Sequence, residues 1–145
     1  ICKEIDKTIS YLRARLSNKI SLEFEQPKDE IIIYLNNQLF SWSLENIIKN
    51  SIDSIKDTGK VKISIIEDNE YLKIYISDNG IGIKQSLKNK IFNPGVTTKE
   101  RGWGLGLSLS KRIIEEYHKG EIKLIESIVG QGTKILIKLN RVERI

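Results

Sequence analysis

The stretch "SDNGIGI", Ser77 to Ile83, closes the alternating run "YLKIYIS" and sets Asp78 just ahead of Gly80 and Gly82. Asp-Asn-Gly is turn chemistry in its own right, and glycine reaches positive φ at no steric cost, so a plain turn is one reading. The other is that the glycines let a ligand approach the backbone beside an acidic acceptor. The rest of the chain decides between them.

Working outward, "KVKISIIED" and "EYLKIYISD" alternate apolar and polar residues around Asn69 and read as an antiparallel hairpin that delivers Asp78 to a strand end. Upstream, "NQLFSWSLENIIKNSIDSIKDTG" runs from Asn37 to Thr58 without Gly or Pro, with Leu44, Ile47, Ile48, Ile52 and Ile55 at helical spacing and Gly59 as its stop. Ile1, Ile5, Ile9, Leu12 and Leu16 mark an opening helix. "KISLEFE" reads as a strand, and "DEIIIYLN" (29–36), a short apolar run after Pro27, as a second. Downstream, a short helix is expected over 84–90, a loop over "FNPGVTTKERGWGLG" (92–106), and a helix over "LSLSKRIIEEYHKG" ending at Gly120. "EIKLIESIV" and "TKILIKLN" close the chain as strands joined across Gly130 and Gly132. Helices and a mainly antiparallel sheet that segregate in this way give an α+β, two-layer pattern.

At 145 residues the chain fits one domain, 1–145, and 39% apolar with 30% charged residues is the balance of a soluble globular protein. No apolar run approaches the roughly 20 residues that span a bilayer. The net charge of +5 comes from lysines mixed with acids along the chain. A nucleic-acid binder concentrates them in a stripe, so a small polyanion fits better. One cysteine and one histidine exclude a disulfide framework and disfavour zinc. The absence of methionine and the start at Ile1 read as a domain excised from something larger.

The chemistry concentrates in three places. On the helix of "ENIIKNSID", about 100° per residue puts Asn46, Lys49, Asn50 and Asp53 on one face, opposite Leu44, Ile48 and Ile55. Asparagine is a mediocre helix former, so two of them at i and i+4 look placed rather than tolerated. An amide carbonyl is a hard oxygen ligand of the kind magnesium accepts beside waters and phosphates. In "ERGWGLGLS", Gly102, Gly104 and Gly106 alternate and run into a helix, where close-approaching amides and the helix N-terminus suit a phosphate. Thr97, Thr98 and Lys99 add hydroxyls and a cation nearby. A Walker A motif is missing, a dinucleotide fingerprint fails at Gln85, and protein-kinase signatures such as His-Arg-Asp are absent.

Taken together, "ENIIKNSIDS", "DNGIGI", "FNPGVTTK", "GWGLGLSLSKRIIEEYHKG" and "GQGTKI" resemble, in order and spacing, the N box, first glycine box, F box, second glycine box and final glycine motif of the catalytic, ATP-binding domain of bacterial sensor histidine kinases. These share a superfamily with DNA gyrase, HSP90 and MutL. The resemblance covers essentially the whole chain. It implies the Bergerat-type fold, a mixed, mainly antiparallel sheet packed on three helices, and binding of ATP with Mg2+. It implies transfer of the γ-phosphoryl group to a histidine on a separate helical dimerisation and phosphoacceptor domain, with a response regulator as indirect partner. It also implies a cytoplasmic position, with neither nucleic acid nor membrane contacted by this domain.

Residue by residue, the resemblance implies that Asp78 accepts from the adenine amine, with Gly80, Ile81, Gly82 and Ile83 along the base and Thr133 fixing its far end. An ionised carboxylate only accepts, so it suits adenine and repels the carbonyl of guanine. Asn50 would hold magnesium, with Asn46, Lys49 and Asp53 on the phosphate side. Thr97, Thr98, Lys99, Gly102, Trp103, Gly104, Leu105, Gly106 and Leu107 would surround the phosphates, and Glu45 is the candidate catalytic residue for orienting or deprotonating the acceptor imidazole.

Three departures from the family pattern stand out. Asp53 and Ser54 replace a common Lys-Tyr, the lid between Phe92 and Gly102 is short, and no phosphoacceptor box is present. His118, at a helix end, is expected to be a cap rather than a nucleophile. The rival readings are a mechanical ATPase of the gyrase, HSP90 or MutL kind and a non-catalytic nucleotide-binding module. The first places a carboxylate where this chain has Asn46.

Overall fold

The computed structural model describes residues 1–95 and 106–141. The elements are α1 (Cys2–Arg13), β1 (Ile20–Glu25), α2 (Asn37–Asp53), β2 (Gly59–Glu67), β3 (Tyr71–Asp78), α3 (Gly106–Arg112), β4 (Glu121–Ile128) and β5 (Gly132–Asn140). The five strands lie in the order β1-β2-β3-β5-β4. Only β1 and β2 run parallel; the other neighbours are antiparallel.

Period-two alternation sorts the sheet into two faces. Val61, Ile63, Leu72, Ile74, Ile76 and Ile137 point to one side and are fully buried there against Ile5 and Ile9 of α1 and Phe40, Leu44, Ile47 and Ile48 of α2. Lys60, Lys62, Lys73, Lys134 and Lys138 alternate with them in register on the open side. There Lys138 and Lys134 cover the rings of Tyr71 and Tyr75. The result is the expected α+β sandwich of one helical layer on a mixed sheet. No helix among the described residues is long and apolar enough to cross a membrane.

Local chemistry sets the element ends. Asn36 caps α2 by accepting from the Leu39 N–H at 3.0 Å. Asp68 shapes the hairpin turn by accepting from the N–H groups of Glu70 and Tyr71, both at 2.8 Å, and these bonds hold its carboxyl below the usual range. Arg13 donates twice to the Leu22 carbonyl and ties α1 to β1.

Three expectations are corrected. Residues 29–36 do not form a strand, because this segment finds no ladder partner among the described residues. Ile31 is buried in the core and its carbonyl accepts from the Ile1 nitrogen, while Ile32 and Tyr34 stand 79% and 84% exposed. α2 ends at Asp53, well short of Thr58, because the carbonyl of Ser54 is taken by the N–H of Ile81 at 3.0 Å. The helix expected over 84–90 is a single 3-10 turn, Gln85–Leu87.

The last helix also departs from a plain α-helix, since α3 continues as a π turn over Ile113–Tyr117. His118 explains how the extra residue is held. Its N–H donates to the Ile113 carbonyl at 3.1 Å, and its Nε2 accepts from the Asn36 N–H at 3.0 Å. An accepting Nε2 puts the proton on Nδ1, which donates back to the Ile113 carbonyl at 2.9 Å. His118 is therefore a cap, as expected, and also a tie to the start of α2.

Candidate functional site

The polar face of α2 meets the start of α3. Asn46 donates through Nδ2 to the Trp42 carbonyl at 2.9 Å, which turns its Oδ1 toward Gly106. A Cβ at Gly106 would lie 3.0 Å from that oxygen. Ser110 donates to the Gly106 carbonyl at 2.7 Å and approaches that of Ser43, so small residues set the helix spacing. Asn50, one turn beyond Asn46, is half-buried, and Asp53 is exposed. Lys49 and Glu45 form an i,i+4 pair at 2.8 Å with side chains 52% and 27% exposed, a contact worth a few tenths of a kcal/mol. Leu107 turns its side chain onto the core. Thr97, Thr98, Lys99, Gly102, Trp103, Gly104 and Leu105 lie outside the described residues.

Asp78 ends β3 at the C-terminus of α2 and is 8% exposed. Its Oδ1 accepts from the Gly80 N–H at 2.9 Å and from the Ser54 hydroxyl at 3.2 Å. Burial pushes its carboxyl above the ordinary value of 3.8, and the donors of Gly80, Ser54, Ser51 and Thr133 pull it back. Gly80 must be glycine, because a Cβ there would run into the Ser54 hydroxyl and come within 2.8 Å of its carbonyl group.

The loop after Asp78 is stitched to the β4–β5 turn. The Gly130 N–H donates to the Ile81 carbonyl at 2.8 Å, and the Ile83 N–H donates to the Ser127 hydroxyl at 2.8 Å. Ser127 is almost wholly buried and lies 2.8 Å from the Thr133 hydroxyl. Thr133 faces Asp78 across the ladder. Gly82, at φ +75°, packs its Cα on the Ile128 carbonyl, and Ile81 and Ile128 leave apolar surface at the lip. A recess of about 240 Å³ opens beside Asp78 and Thr133, with Gln131 and Lys134 among its walls.

The structure thus brings Asp78, Gly80, Gly82 and Thr133 together at one end of the sheet and adds Ser54, Ser51 and Ser127, which the motif reading did not include. Ser127 carries no signal of its own in the sequence. Ser54 was visible only as a departure from the family pattern.

The tightest backbone approach here is at Gly132, at φ +129°, where a Cβ would collide with the Asp78 carbonyl and sit 2.9 Å from the Asn79 Cα. Gly132→Ala is expected to cost about 3 kcal/mol or more, roughly 10 °C in the thermal midpoint. Gly130→Ala, also at positive φ but with nothing within 4 Å, should cost only about 1 kcal/mol. Calorimetric melts of the two variants check this, and equal losses would contradict it.

Residues 38–143 match the family described as histidine kinase-, DNA gyrase B- and HSP90-like ATPase, and the chain belongs to that family. Among relatives, it is 38% identical over 128 residues to sporulation kinase E of Bacillus subtilis, covering 88% of this chain and 17% of that one. It is 40% identical over 108 residues to the signal transduction histidine-protein kinase AtoS of Escherichia coli, covering 74% of this chain and 17% of that one. The chain thus spans less than a fifth of the length of either kinase. Among solved structures, a nucleotide-free catalytic domain of the histidine kinase ThkA superposes with a TM-score of 0.86 at 26% identity, covering 97% of this chain and 92% of that one. The motif resemblance to histidine kinase catalytic domains therefore holds.

Proposed function

We propose that this chain, 1–145, is the catalytic domain of a sensor histidine kinase, binding ATP with magnesium and passing the γ-phosphoryl group to a histidine on a separate helical dimerisation domain. The observation that carries the reading is the Asp78 carboxylate, buried at a strand end, pinned through one oxygen and flanked by glycines that bring backbone to the same point.

Asp78 reads the exocyclic amine of adenine, while Gly80, Gly82 and Thr133 shape the slot for the ring. Asn50 would hold the cation, because an amide carbonyl is a hard oxygen ligand of the kind a divalent cation accepts beside waters and phosphate oxygens, and Asn46, on the same helix face, would line the phosphate side. Magnesium, when bound, neutralises charge on the phosphates. In the transfer, an imidazole nitrogen of the acceptor forms a bond to the γ-phosphorus and the bond to the β–γ bridging oxygen breaks, leaving ADP. The imidazole proton goes to a base, for which Glu45 on α2 is the candidate. Lys49, which neutralises Glu45 here, is placed to turn to the phosphates instead. Positioning and charge neutralisation supply most of the catalysis. Hydrolysis of the gyrase or HSP90 kind is disfavoured, because Asn46, bonded to the Trp42 carbonyl, is an amide and not a base.

The test is phosphotransfer from labelled ATP with magnesium to a helical dimerisation domain of a sensor kinase, preferably the parent's own, supplied in trans. An acid-labile, base-stable phosphohistidine is expected on that partner and none on this chain. His118→Gln should lower stability by about 1–3 kcal/mol through its lost bonds to Ile113 and Asn36, yet leave transfer intact. Label on His118 would refute this assignment of donor and acceptor.

A further inference from the structure

Ser54 caps α2, and all its polar groups are engaged. Its N–H donates to the Asn50 carbonyl at 3.1 Å and its carbonyl accepts from the Ile81 N–H at 3.0 Å. Its hydroxyl lies 2.6 Å from the Ser51 carbonyl and 3.2 Å from Asp78 Oδ1. The absence of a side chain at Gly80 is what admits the hydroxyl, since a Cβ there would occupy its place. One residue therefore joins the end of the N-box helix to the loop that carries Asp78.

A carboxylate offers two oxygens. Oδ1 accepts from the Gly80 N–H and takes a share of the one Ser54 hydroxyl proton, which also serves the Ser51 carbonyl, so Oδ2 is the oxygen with more capacity to accept from a ligand. We propose that Ser54 is a positioning residue for purine recognition: its hydroxyl holds Oδ1 of Asp78 so that Oδ2 faces the exocyclic amine of adenine. The proposal rests on the reading of Asp78 as the base acceptor.

Charge as well as orientation depends on this bond. A hydroxyl donor stabilises the ionised carboxylate against the burial that opposes it. The other groups that act on the carboxyl are the Gly80 and Thr133 N–H groups and the Ser51 hydroxyl. Of the charged residues nearby, Glu126 and Lys134, from β4 and β5, line the same recess, and Asp53 is exposed on α2. Binding of an amine needs the ionised acceptor, so losing the Ser54 donor raises the pH at which adenine affinity begins to fall.

The experiment is calorimetric titration of ADP and GDP, each with magnesium, into wild type, Ser54→Ala and Ser54→Cys from about pH 5.5 to 8.5. Cysteine keeps the shape and is a weak donor. Both variants should lose about tenfold of the preference for ADP over GDP. Their ADP affinity should also begin to decline at a higher pH than that of wild type. An unchanged ADP to GDP ratio with superimposable pH profiles in both variants overturns the role of Ser54 while leaving Asp78 as the acceptor. Wild type that fails to bind ADP, or binds GDP as well, overturns both.

Discussion

Asp78→Asn is expected to turn an adenine site into one that favours guanine. In the wild type, Oδ1 accepts from the Gly80 N–H and the Ser54 hydroxyl, and an amide in the same place satisfies both donors only with its carbonyl oxygen there. Its NH2 group then occupies the position of Oδ2. A donor facing the adenine amine leaves two donors opposed, whereas the same donor meets the O6 carbonyl of guanine. ATP affinity should fall about a hundredfold and GTP affinity should rise above it, a range typical of sites built on buried hydrogen bonds. Stability should move the other way. The folded carboxyl lies above its ordinary value, so its contribution to stability is complete below about pH 3.8 and is lost as pH rises through the folded value. A neutral amide removes that loss, and the nucleotide-free variant should melt at pH 7 no lower than wild type. Titrations with ATP and GTP beside thermal melts decide it. Unchanged ATP affinity would remove Asp78 from the base site, and a large drop in melting temperature would make it a structural residue.

What could be read from the chain follows how local each interaction is. The hairpin and its neighbours were legible because alternation from Val61 to Leu72, Ile76 and Ile137 reports burial of one sheet face directly. The polar face of α2 was legible for the same reason, because the helical spacing of Leu44, Ile47 and Ile48 reports which side is buried. The run Ile31–Leu35 is apolar enough for a strand, but a strand needs a partner and sequence cannot supply one. α2 ends at Ser54 because Ile81, 27 residues later, takes the Ser54 carbonyl. The π turn depends on a ring nitrogen of His118 reaching the Asn36 N–H, 82 residues away. Ser127 is a polar residue in an apolar strand until its bonds to Ile83 and Thr133 are seen. Where a feature rests on a non-local hydrogen bond, composition and period do not announce it. At the candidate site these are the very bonds that hold Asp78 and the glycine loop in place.

Asn50→Ala should abolish magnesium-dependent triphosphate binding and spare the fold. The residue sits one turn beyond Asn46, on the face of α2 that meets the start of α3. The stripe that anchors the helix, Leu44, Ile47 and Ile48, is fully buried on the other side and untouched by the change. Alanine is also the better helix former, and the Asn50 carbonyl that accepts from the Ser54 N–H is backbone and survives. The melting temperature should therefore stay within a few degrees. ATP affinity measured with magnesium should drop about a hundredfold or more, since a hard cation loses one of its few protein oxygens, and phosphotransfer should vanish with it. ADP affinity without magnesium should change by no more than about threefold, because the acceptor proposed for the base is the Asp78 carboxylate, and the Asn50 carbonyl that links this end of α2 to it through Ser54 is backbone and survives the change. That contrast separates the two residues: Asp78→Asn changes which base is bound whatever the cation, and Asn50→Ala changes the response to the cation whatever the base. Equal losses of ADP affinity with and without magnesium would show Asn50 shaping the pocket as a whole, and retained magnesium-ATP binding would move the cation ligand elsewhere on the chain.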